Sequence, residues 1–424
     1  MNSTDLLKEC FSVERWTEAI DKAVQKGMNR IILSNCCSPS YRKRLYIRLL
    51  NDEYTPLPPH EAKIPKENSK EFRTVYINED EDRVFLSIVN SVLNDVFKDM
   101  VHSSCRSYQK KKSFGETAVE LSRKLKNYSG VKTDFHKYFD TVEINKIMEV
   151  FDLLEDKLRI ERNTDPIVNM LRRIWKDNRY ISIDGKIKEQ YMGIRQGNAV
   201  GSFFANVLMY ELDEFMSSNY PYYVRYSDDA VTLTERKGDY KKVINDINRI
   251  INKYGIKLNN SKTVAINNNS WFSFLGFFIK PNKVTLNGKW TKHFKNEIQK
   301  CTVKNKNISY KQALNNVYRF LYGNNKKNKY SWATSIFPYI NVREDILILD
   351  KFVMDNLRAV KSVKKIVGGI GVNMYMKDNA LYNSYGKHAA RNRGTDIEDY
   401  TTISCMYNAY HTDMAAFNSL CYNL

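Results

Sequence analysis

Long apolar runs, metal-binding cysteine patterns and prolines are scarce in this chain of 424 residues. No apolar stretch approaches the ~18 residues that a membrane-spanning helix needs. The first residues also lack the basic segment followed by an apolar one that marks a secretory signal. We therefore expect a cytoplasmic protein with no membrane partner. The seven cysteines include no Cys-x-x-Cys spacing, which argues against a disulfide framework and a structural zinc site.

Acidic residues are almost missing between positions 280 and 330. That stretch holds 13 Lys and Arg against one acid, Glu297, and contributes most of the chain's formal charge of +19. Apolar residues recur at helical spacing from Tyr310 to Leu321. We predict an amphipathic element with a cationic face that binds a polyanion, with an affinity that falls steeply as salt rises. A solvated basic helix is the alternative interpretation.

Hydrophobic residues make up 42% of the chain, which excludes a disordered polymer. The apolar pattern of residues 84–97 predicts one long helix, and the stretch from Val200 to Phe215 predicts another. Residues 180–188 and 222–233 each predict a hairpin. Such irregular alternation of helices and strands favours an α+β fold over a doubly wound parallel sheet.

Two adjacent acids, Asp228 and Asp229, stand at the tip of the second predicted hairpin. Adjacent carboxylates repel each other, so a folded protein that keeps them together usually supplies a cation. Carboxylate oxygens suit Mg²⁺ or Mn²⁺, and a site for two metal ions needs a third acid. Asp134, which lies between a strand-like and a helix-like segment, is the candidate. A solvated turn, or a helix cap at Asp134 or Asp140, remains the alternative.

Around these acids the sequence resembles the reverse transcriptases. Tyr226-Ser227-Asp228-Asp229 resembles their Tyr-x-Asp-Asp motif, and Asp134 followed by Phe139 resembles their first catalytic aspartate and aromatic steric gate. Further similar segments are Met192–Gly197 (the Gln-Gly motif), Leu258–Thr263 (Leu-Asn-x-x-Lys-Thr) and Phe274–Phe277 (the primer grip). These motifs keep the family's order over about half the chain. The chain is most similar to prokaryotic group II intron and retron-like enzymes, and among them to the compact defence-associated (abortive-infection) type.

The resemblance implies a set of site residues. The implied catalytic residues are Asp134, Asp228 and Asp229, and the metal site adds Phe135. The implied nucleotide-binding residues are Lys66, Arg73, Phe139, Gln196, Gly197 and Lys262. The implied primer grip is Phe274, Leu275 and Gly276.

The same resemblance implies the chemistry. The implied cofactors are two Mg²⁺ ions, with Mn²⁺ as an alternative; one acidifies the primer hydroxyl and the other stabilises the pyrophosphate leaving group. Phe139 would clash with a ribose 2′ hydroxyl, which predicts selection of dNTPs. The chain departs from the family at Arg195, where a proline usually precedes the glutamine.

The implied fold is a right-hand polymerase with an RRM-like antiparallel palm sheet. Its predicted parts are an N-terminal helical extension (1–60), fingers (61–130), a palm with inserted fingers elements (131–285) and a helical thumb and C-terminal region (286–424). The implied function is an RNA-directed DNA polymerase that copies an RNA template, a dedicated noncoding RNA, into DNA during anti-phage defence. Alternatives are a retron-type enzyme, a template-independent or protein-primed DNA polymerase, an RNA-templated RNA polymerase and a catalytically idle RNA-binding module.

Overall fold

A computed structural model describes residues 3–65, 71–109, 113–190, 192–235, 238–267, 269–305, 307–323 and 331–366, and four positions between 403 and 411. The helices are α1 (Ser3–Cys10), α2 (Val13–Gln25), α3 (Arg30–Cys37), α4 (Pro39–Leu50), α5 (Asp80–Val96), α6 (Phe114–Lys124), α7 (Tyr138–Thr141), α8 (Ile144–Leu158), α9 (Pro166–Asp177), α10 (Gly201–Leu208), α11 (Tyr210–Asn219), α12 (Tyr240–Ile251), α13 (Gly288–Cys301), α14 (Tyr310–Tyr322), α15 (Trp332–Ser335) and α16 (Arg343–Ile366).

The strands are β1 (His60–Pro65), β2 (Phe72–Ile77), β3 (Ser129–His136), β4 (Arg179–Ile181), β5 (Ile187–Glu189), β6 (Tyr222–Tyr226), β7 (Asp229–Thr234), β8 (Lys257–Leu258), β9 (Val264–Ile266), β10 (Phe272–Phe274), β11 (Phe277–Lys280) and β12 (Lys283–Leu286). The chain divides into two units. The first combines Met1–Lys111 with Ser129–Ile266, and the second combines Lys112–Tyr128 with Asn267–Leu424.

An antiparallel sheet of five strands lies at the centre of the first unit. Its order is β6-β7-β3-β8, and β9 also pairs with β3. Val131, Val224, Val231 and Leu233 are buried on these strands, as expected where β-branched and aliphatic residues form a pleated surface. The predicted hairpin of residues 222–233 is confirmed as β6 and β7. The hairpin predicted at 180–188 is confirmed as β4 and β5, which belong to a second sheet with β1 and β2.

Helices α1 to α4 share one continuous core with α5. Trp16 of α2 is fully buried, and its ring lies 6.3 Å from that of Phe85 on α5. The apolar stripe of α5 is buried along the whole helix, so the long helix predicted from its spacing is confirmed. The bounds proposed for an N-terminal extension, fingers, palm and thumb stay a prediction.

The single helix predicted from Val200 to Phe215 is wrong in one respect. Two helices, α10 and α11, meet at Met209, whose φ of −93° and ψ of 7° lie outside the α-helical range. The amide of Met209 donates to Asn206 O, three residues back, so the regular i to i−4 ladder is interrupted there. Hydrophobic spacing alone gives no sign of such a break.

The second unit carries the basic stretch. The helical spacing from Tyr310 to Leu321 is confirmed by α14, which buries Leu314, Val317 and Leu321. Strands β10, β11 and β12 form an antiparallel sheet of their own. In the described part of the chain, no helix is both long and apolar enough to span a membrane.

Candidate active site

The central sheet brings the three predicted carboxylates together. Strands β3 and β7 pair antiparallel in a register that sets Asp134 opposite Asp229. Because directly opposed residues of an antiparallel pair have Cβ atoms about 4.5–5.5 Å apart, the two acids are neighbours. Asp228 immediately precedes β7, so all three acids lie at one end of two adjacent strands. Local hairpin formation and one long-range pairing are sufficient to build this cluster.

The turn that carries Asp228 is tight. Tyr226 pairs with Asp229, which leaves only Ser227 and Asp228 between β6 and β7. Ser227 has a φ of +58°, a left-handed conformation that glycine adopts far more easily than serine does. The amide of Phe135 donates to the backbone carbonyl of Asp228 at 2.9 Å, which ties the turn to β3. The backbone of the turn is thus fixed next to Asp134.

Asp228 binds a proton more tightly than an isolated aspartate does. Burial is the main cause that raises the pKa of Asp228, and the negative charges of Asp229 and Asp134 raise it further. Lys262 opposes this shift. The cluster therefore holds more negative charge than its surroundings neutralise, and a cation bound there would relieve the repulsion.

Two lysines lie against these acids. Lys262 Nζ is 2.9 Å from Asp134 Oδ2, and Lys132 Nζ is 3.0 Å from Asp229 Oδ1. Asn259 completes the environment of Asp134 because its side-chain amide donates to Oδ1 at 3.0 Å. Lys262, predicted to bind nucleotide, therefore contacts a carboxylate that is predicted to be catalytic.

Sequence reasoning missed Lys132 and Asn259. Side chains alternate across a strand, so Lys132 shares a face with Asp134, and that spacing could have revealed it. Asn259 lies within a recognised motif, but no local pattern ties its amide to an acid 125 residues away.

The donor chemistry of the cluster fits a divalent metal ion. Carboxylate oxygens are the hard ligands that Mg²⁺ prefers, and Asp134, Asp228 and Asp229 supply them from a rigid sheet. Within the described residues, however, no group of three or more His, Cys, Asp or Glu side chains is arranged to hold a metal ion. Lys262 Nζ and Lys132 Nζ lie against oxygens of these carboxylates, where they compete with a metal ion for the same ligands.

The Gln-Gly loop lies beside β2. Gln196 O accepts a hydrogen bond from Tyr76 N at 2.7 Å. Gly197 has a φ of +99°, and a Cβ at this position would lie 2.8 Å from Tyr76 O. Only glycine fits so close to that carbonyl. The Gln196 side chain approaches Asp140 Oδ1 at 3.4 Å.

Arg195, which replaces the family's usual proline, is buried. One guanidinium nitrogen, Nη2, donates to Asn178 Oδ1 at 3.1 Å. Burial lowers the pKa of Arg195 to about 10, which leaves it charged at neutral pH. A proline at this position would fix the backbone φ of the loop. Here a buried hydrogen bond from Arg195 ties the loop to Asn178 at the end of α9 instead.

Phe139 lies on the short helix α7 that follows β3. It is half-buried, and its ring meets that of Tyr138 at 5.5 Å in an edge-on arrangement. Its backbone carbonyl accepts a hydrogen bond from Ile194 N, so the predicted steric gate and the Gln-Gly loop are joined.

Arg73 and the predicted primer grip belong to sheets other than the central one. Arg73 is exposed on β2, opposite Ile64 of β1, whereas Lys66 lies outside the described residues. The predicted primer grip belongs to the second unit. There Phe274 pairs with Phe277, and Leu275 and Gly276, with φ values of 52° and 86°, form a two-residue turn.

Three carboxylates at one end of an antiparallel sheet form the kind of site that metal-dependent nucleotidyl transfer requires. The chain belongs to the family described as reverse transcriptase (RNA-dependent DNA polymerase), whose model matches residues 64–279. This match, with the antiparallel central sheet, confirms the polymerase-type α+β fold class.

Individual relatives are distant. The chain is similar to the group II intron-encoded protein LtrA of Lactococcus lactis subsp. cremoris, with 21% identity over 209 residues, or 49% of this chain. That match spans only 33% of the relative's own length.

Among solved structures, the chain is similar to apo telomerase from Candida tropicalis (15% identity, TM-score 0.47, 86% of this chain and 65% of that one). It is also similar to telomerase from Candida albicans in complex with the TWJ fragment of telomeric RNA (14% identity, TM-score 0.47, 87% of this chain and 61% of that one). Likeness at this level supports no conclusion about function.

Proposed function

We propose that this protein is an RNA-directed DNA polymerase that copies an RNA template into DNA from dNTPs. The observation that carries the proposal is the convergence of Asp134, Asp228 and Asp229 on paired strands of a chain that belongs to the reverse transcriptase family. Hard oxygen donors, held by a rigid sheet, suit the binding of two divalent ions for attack by a primer 3′ hydroxyl.

Asp134 and Asp228 would hold the metal ions, Mg²⁺ in the first instance, and Asp229 and Phe135 would complete the site. When bound, the ions acidify the primer hydroxyl and neutralise charge on the leaving pyrophosphate. Lys262 has a side chain that is 60% exposed, so it can leave Asp134 for solvent or for a phosphate oxygen. Lys132, with 18% exposure, has less freedom to leave Asp229.

Nucleotide binding uses the residues around the Gln-Gly loop. Gln196 and Gly197 line the approach to the carboxylates, and Phe139 limits the space for the sugar. The exposed Arg73, with Lys66, supplies cations for triphosphate charge that the metal ions leave unpaired.

Exchange of Asp228 for asparagine tests the catalytic assignment. The purified protein, given a primed RNA template, Mg²⁺ and labelled dNTPs, should extend the primer, and Asp228→Asn should slow extension by about 10³-fold or more. Asp99→Asn is the matched control, because Asp99 is an exposed acid paired with Lys157. Equal synthesis by Asp228→Asn and the unmodified protein would show that the site is wrongly assigned.

Phe139→Ala should relax the choice of sugar. Loss of the ring opens space for a 2′ hydroxyl, and one such group in a pocket changes discrimination by about 10-fold or more. The ratio of kcat/KM for dNTPs to that for NTPs measures the effect, and Phe139→Tyr, which keeps the bulk, should leave the ratio unchanged. If the unmodified protein uses both nucleotides equally, an RNA polymerase becomes the better description.

The nucleic-acid partner is proposed to contact the basic stretch of the second unit. Lys289 and Lys292 are exposed on α13, so their replacement by glutamine should make RNA binding less salt-dependent. The slope of log K against log salt should shrink by about 0.7–0.9 for each phosphate group that the protein no longer neutralises. Lys241→Gln with Lys242→Gln on α12 is the control pair. An unchanged slope in the α13 variant would remove this surface from the proposal.

The template is proposed to be a dedicated noncoding RNA, and the setting anti-phage defence. Both rest on the resemblance of the sequence to defence-associated reverse transcriptases. Separate sequencing of the RNA and the DNA that copurify with the protein tests them. One predominant structured RNA with complementary DNA is expected, whereas unrelated cellular RNAs without complementary DNA would contradict the proposal.

A further inference from the structure

A buried ion pair lies directly beneath the turn that carries Asp228. Arg225 and Asp213 both have fully buried side chains. Nε and Nη2 of Arg225 donate to the two carboxylate oxygens of Asp213 at 2.8 and 2.7 Å. Tyr223 adds a third donor to the same carboxylate at 3.1 Å. This two-pronged geometry fixes the plane of the guanidinium.

The remaining arm of the guanidinium reaches the turn. Arg225 Nη1 donates to the backbone carbonyl of Ser227 at 3.0 Å. The next carbonyl, that of Asp228, accepts from Phe135 N at 2.9 Å. Both peptide groups that flank the Cα of Asp228 are therefore held by buried donors, one by the Arg225 guanidinium and the other by the Phe135 amide of β3.

The turn needs such support. Ser227 has a φ of +58°, a conformation that a serine adopts only where its surroundings impose it. The backbone of Arg225 is itself fixed, because its amide donates to Ser104 O and its carbonyl accepts from Arg106 N. The ion pair is thus anchored to α11 on one side and to the segment 104–106 on the other.

We propose that Arg225, oriented by Asp213, is a positioning residue that holds the Ser227–Asp228 peptide and so sets the direction of the Asp228 carboxylate toward the metal ions. This rests on the proposed function. The Arg225 side chain is fully buried, so it acts through the backbone carbonyl of Ser227. Lysine cannot replace it, since a single ammonium group cannot bind both oxygens of Asp213 and reach the Ser227 carbonyl in the same planar geometry.

Arg225→Lys tests the proposal against a purely structural role. Residues that orient metal ligands typically change metal affinity or activity by about 10–100-fold when substituted. We expect Arg225→Lys to raise the Mg²⁺ concentration for half-maximal extension by about 10-fold or more and to lower kcat, with KM for dNTPs little changed. Binding of Mn²⁺, followed by electron paramagnetic resonance without nucleotide, should weaken in parallel.

Arg172→Lys is the matched control. Arg172 also forms a two-pronged pair with a buried acid, Glu155, at 2.7 and 3.1 Å, but it has no link to the turn. This variant should lose stability while its Mg²⁺ requirement and Mn²⁺ affinity stay unchanged. If Arg225→Lys behaves in the same way, the pair only stabilises the fold and the proposal is overturned.

Two further outcomes can be distinguished from failure of the proposal: a variant that does not fold, and an unmodified protein that makes no DNA. If Arg225→Lys does not fold, the same measurements are made on Asp213→Glu. This variant shifts the guanidinium of Arg225 without removing either charge. Unaltered Mn²⁺ binding by Asp213→Glu would contradict the proposal. If the unmodified protein makes no DNA at all, the proposed function fails, whereas the Mn²⁺ measurements still decide whether Arg225 positions Asp228.

Discussion

Ion pairs of two kinds lie around the turn formed by Ser227 and Asp228. Below it, Arg225 and Asp213 are both 0% exposed. At the turn, Lys262 is 60% exposed while its partner Asp134 is 6% exposed, and Lys132 and Asp229 are 18% and 31% exposed. The same chemistry therefore serves two purposes. The buried pair is a permanent part of the fold, whereas each pair at the turn keeps at least one partner in contact with water, so its lysine can be exchanged for another cation.

The difference comes from access to water. An ion lost from a buried pair leaves its partner without either a counter-charge or solvent, so breaking such a pair is costly. Burial by itself would lower the pKa of Arg225, but the Asp213 carboxylate raises it well above its usual value. An ion that leaves a half-exposed pair is replaced by water at little cost.

The largest expected effect on stability comes from Asp213→Ala. Removal of this carboxylate leaves Arg225 charged and buried, which should lower the free energy of unfolding by about 3–5 kcal/mol. Urea denaturation followed by circular dichroism measures the change, with Asp99→Ala as an exposed control. If the free energy of unfolding falls by less than about 1 kcal/mol, the Arg225–Asp213 pair contributes no more to stability than a solvent-exposed pair does. The contrast between the buried pair and the pairs at the turn would then be wrong.

A buried acid that has no basic partner among the described residues should behave differently again. Asp165 caps α9 through the amides of Ile167 and Val168, and burial raises its pKa to about 6. The unfolded carboxyl titrates near ~3.9, so the folded state binds this proton more tightly. Its contribution to stability is present below the unfolded pKa and is lost as pH rises through about 4 to 6.

The loss should amount to up to about 3 kcal/mol, since one unit of pKa corresponds to ~1.4 kcal/mol. Urea denaturation of the protein and of Asp165→Asn at several pH values between about 4 and 8 measures it. The asparagine keeps the cap oxygen without the titration, so the pH dependence in this window should flatten. An identical pH profile for both proteins would assign that dependence to other groups.

Lys132→Met should have the smallest effect. Its partner Asp229 keeps access to water, so the free energy of unfolding should change by about 1 kcal/mol or less. The same variant should bind Mn²⁺ more tightly, because a competing ammonium group is removed from the cluster. A large loss of stability would show that this pair is structural, like the one below the turn.

Much of the site follows from local patterns. The hairpin and its Asp-Asp tip were predictable because strand alternation and turn residues are encoded within a dozen positions. The break at Met209 was not predictable, since α10 and α11 are both apolar across it and only their packing separates them. Lys66 lies outside the described residues, and the roles of the remaining predicted nucleotide-binding residues stay predictions.

The sequence by itself determined the α+β class, the two hairpins and the set of acids, because these depend on periodicity and on neighbouring residues. Only the tertiary structure decided which cations meet those acids. Asp134 and Lys262 are 128 positions apart, and Arg225 meets Asp213 only after a helix and a strand have packed together. Pairing across such separations is set by the packing of whole elements, and burial then decides which pairs are fixed and which can exchange.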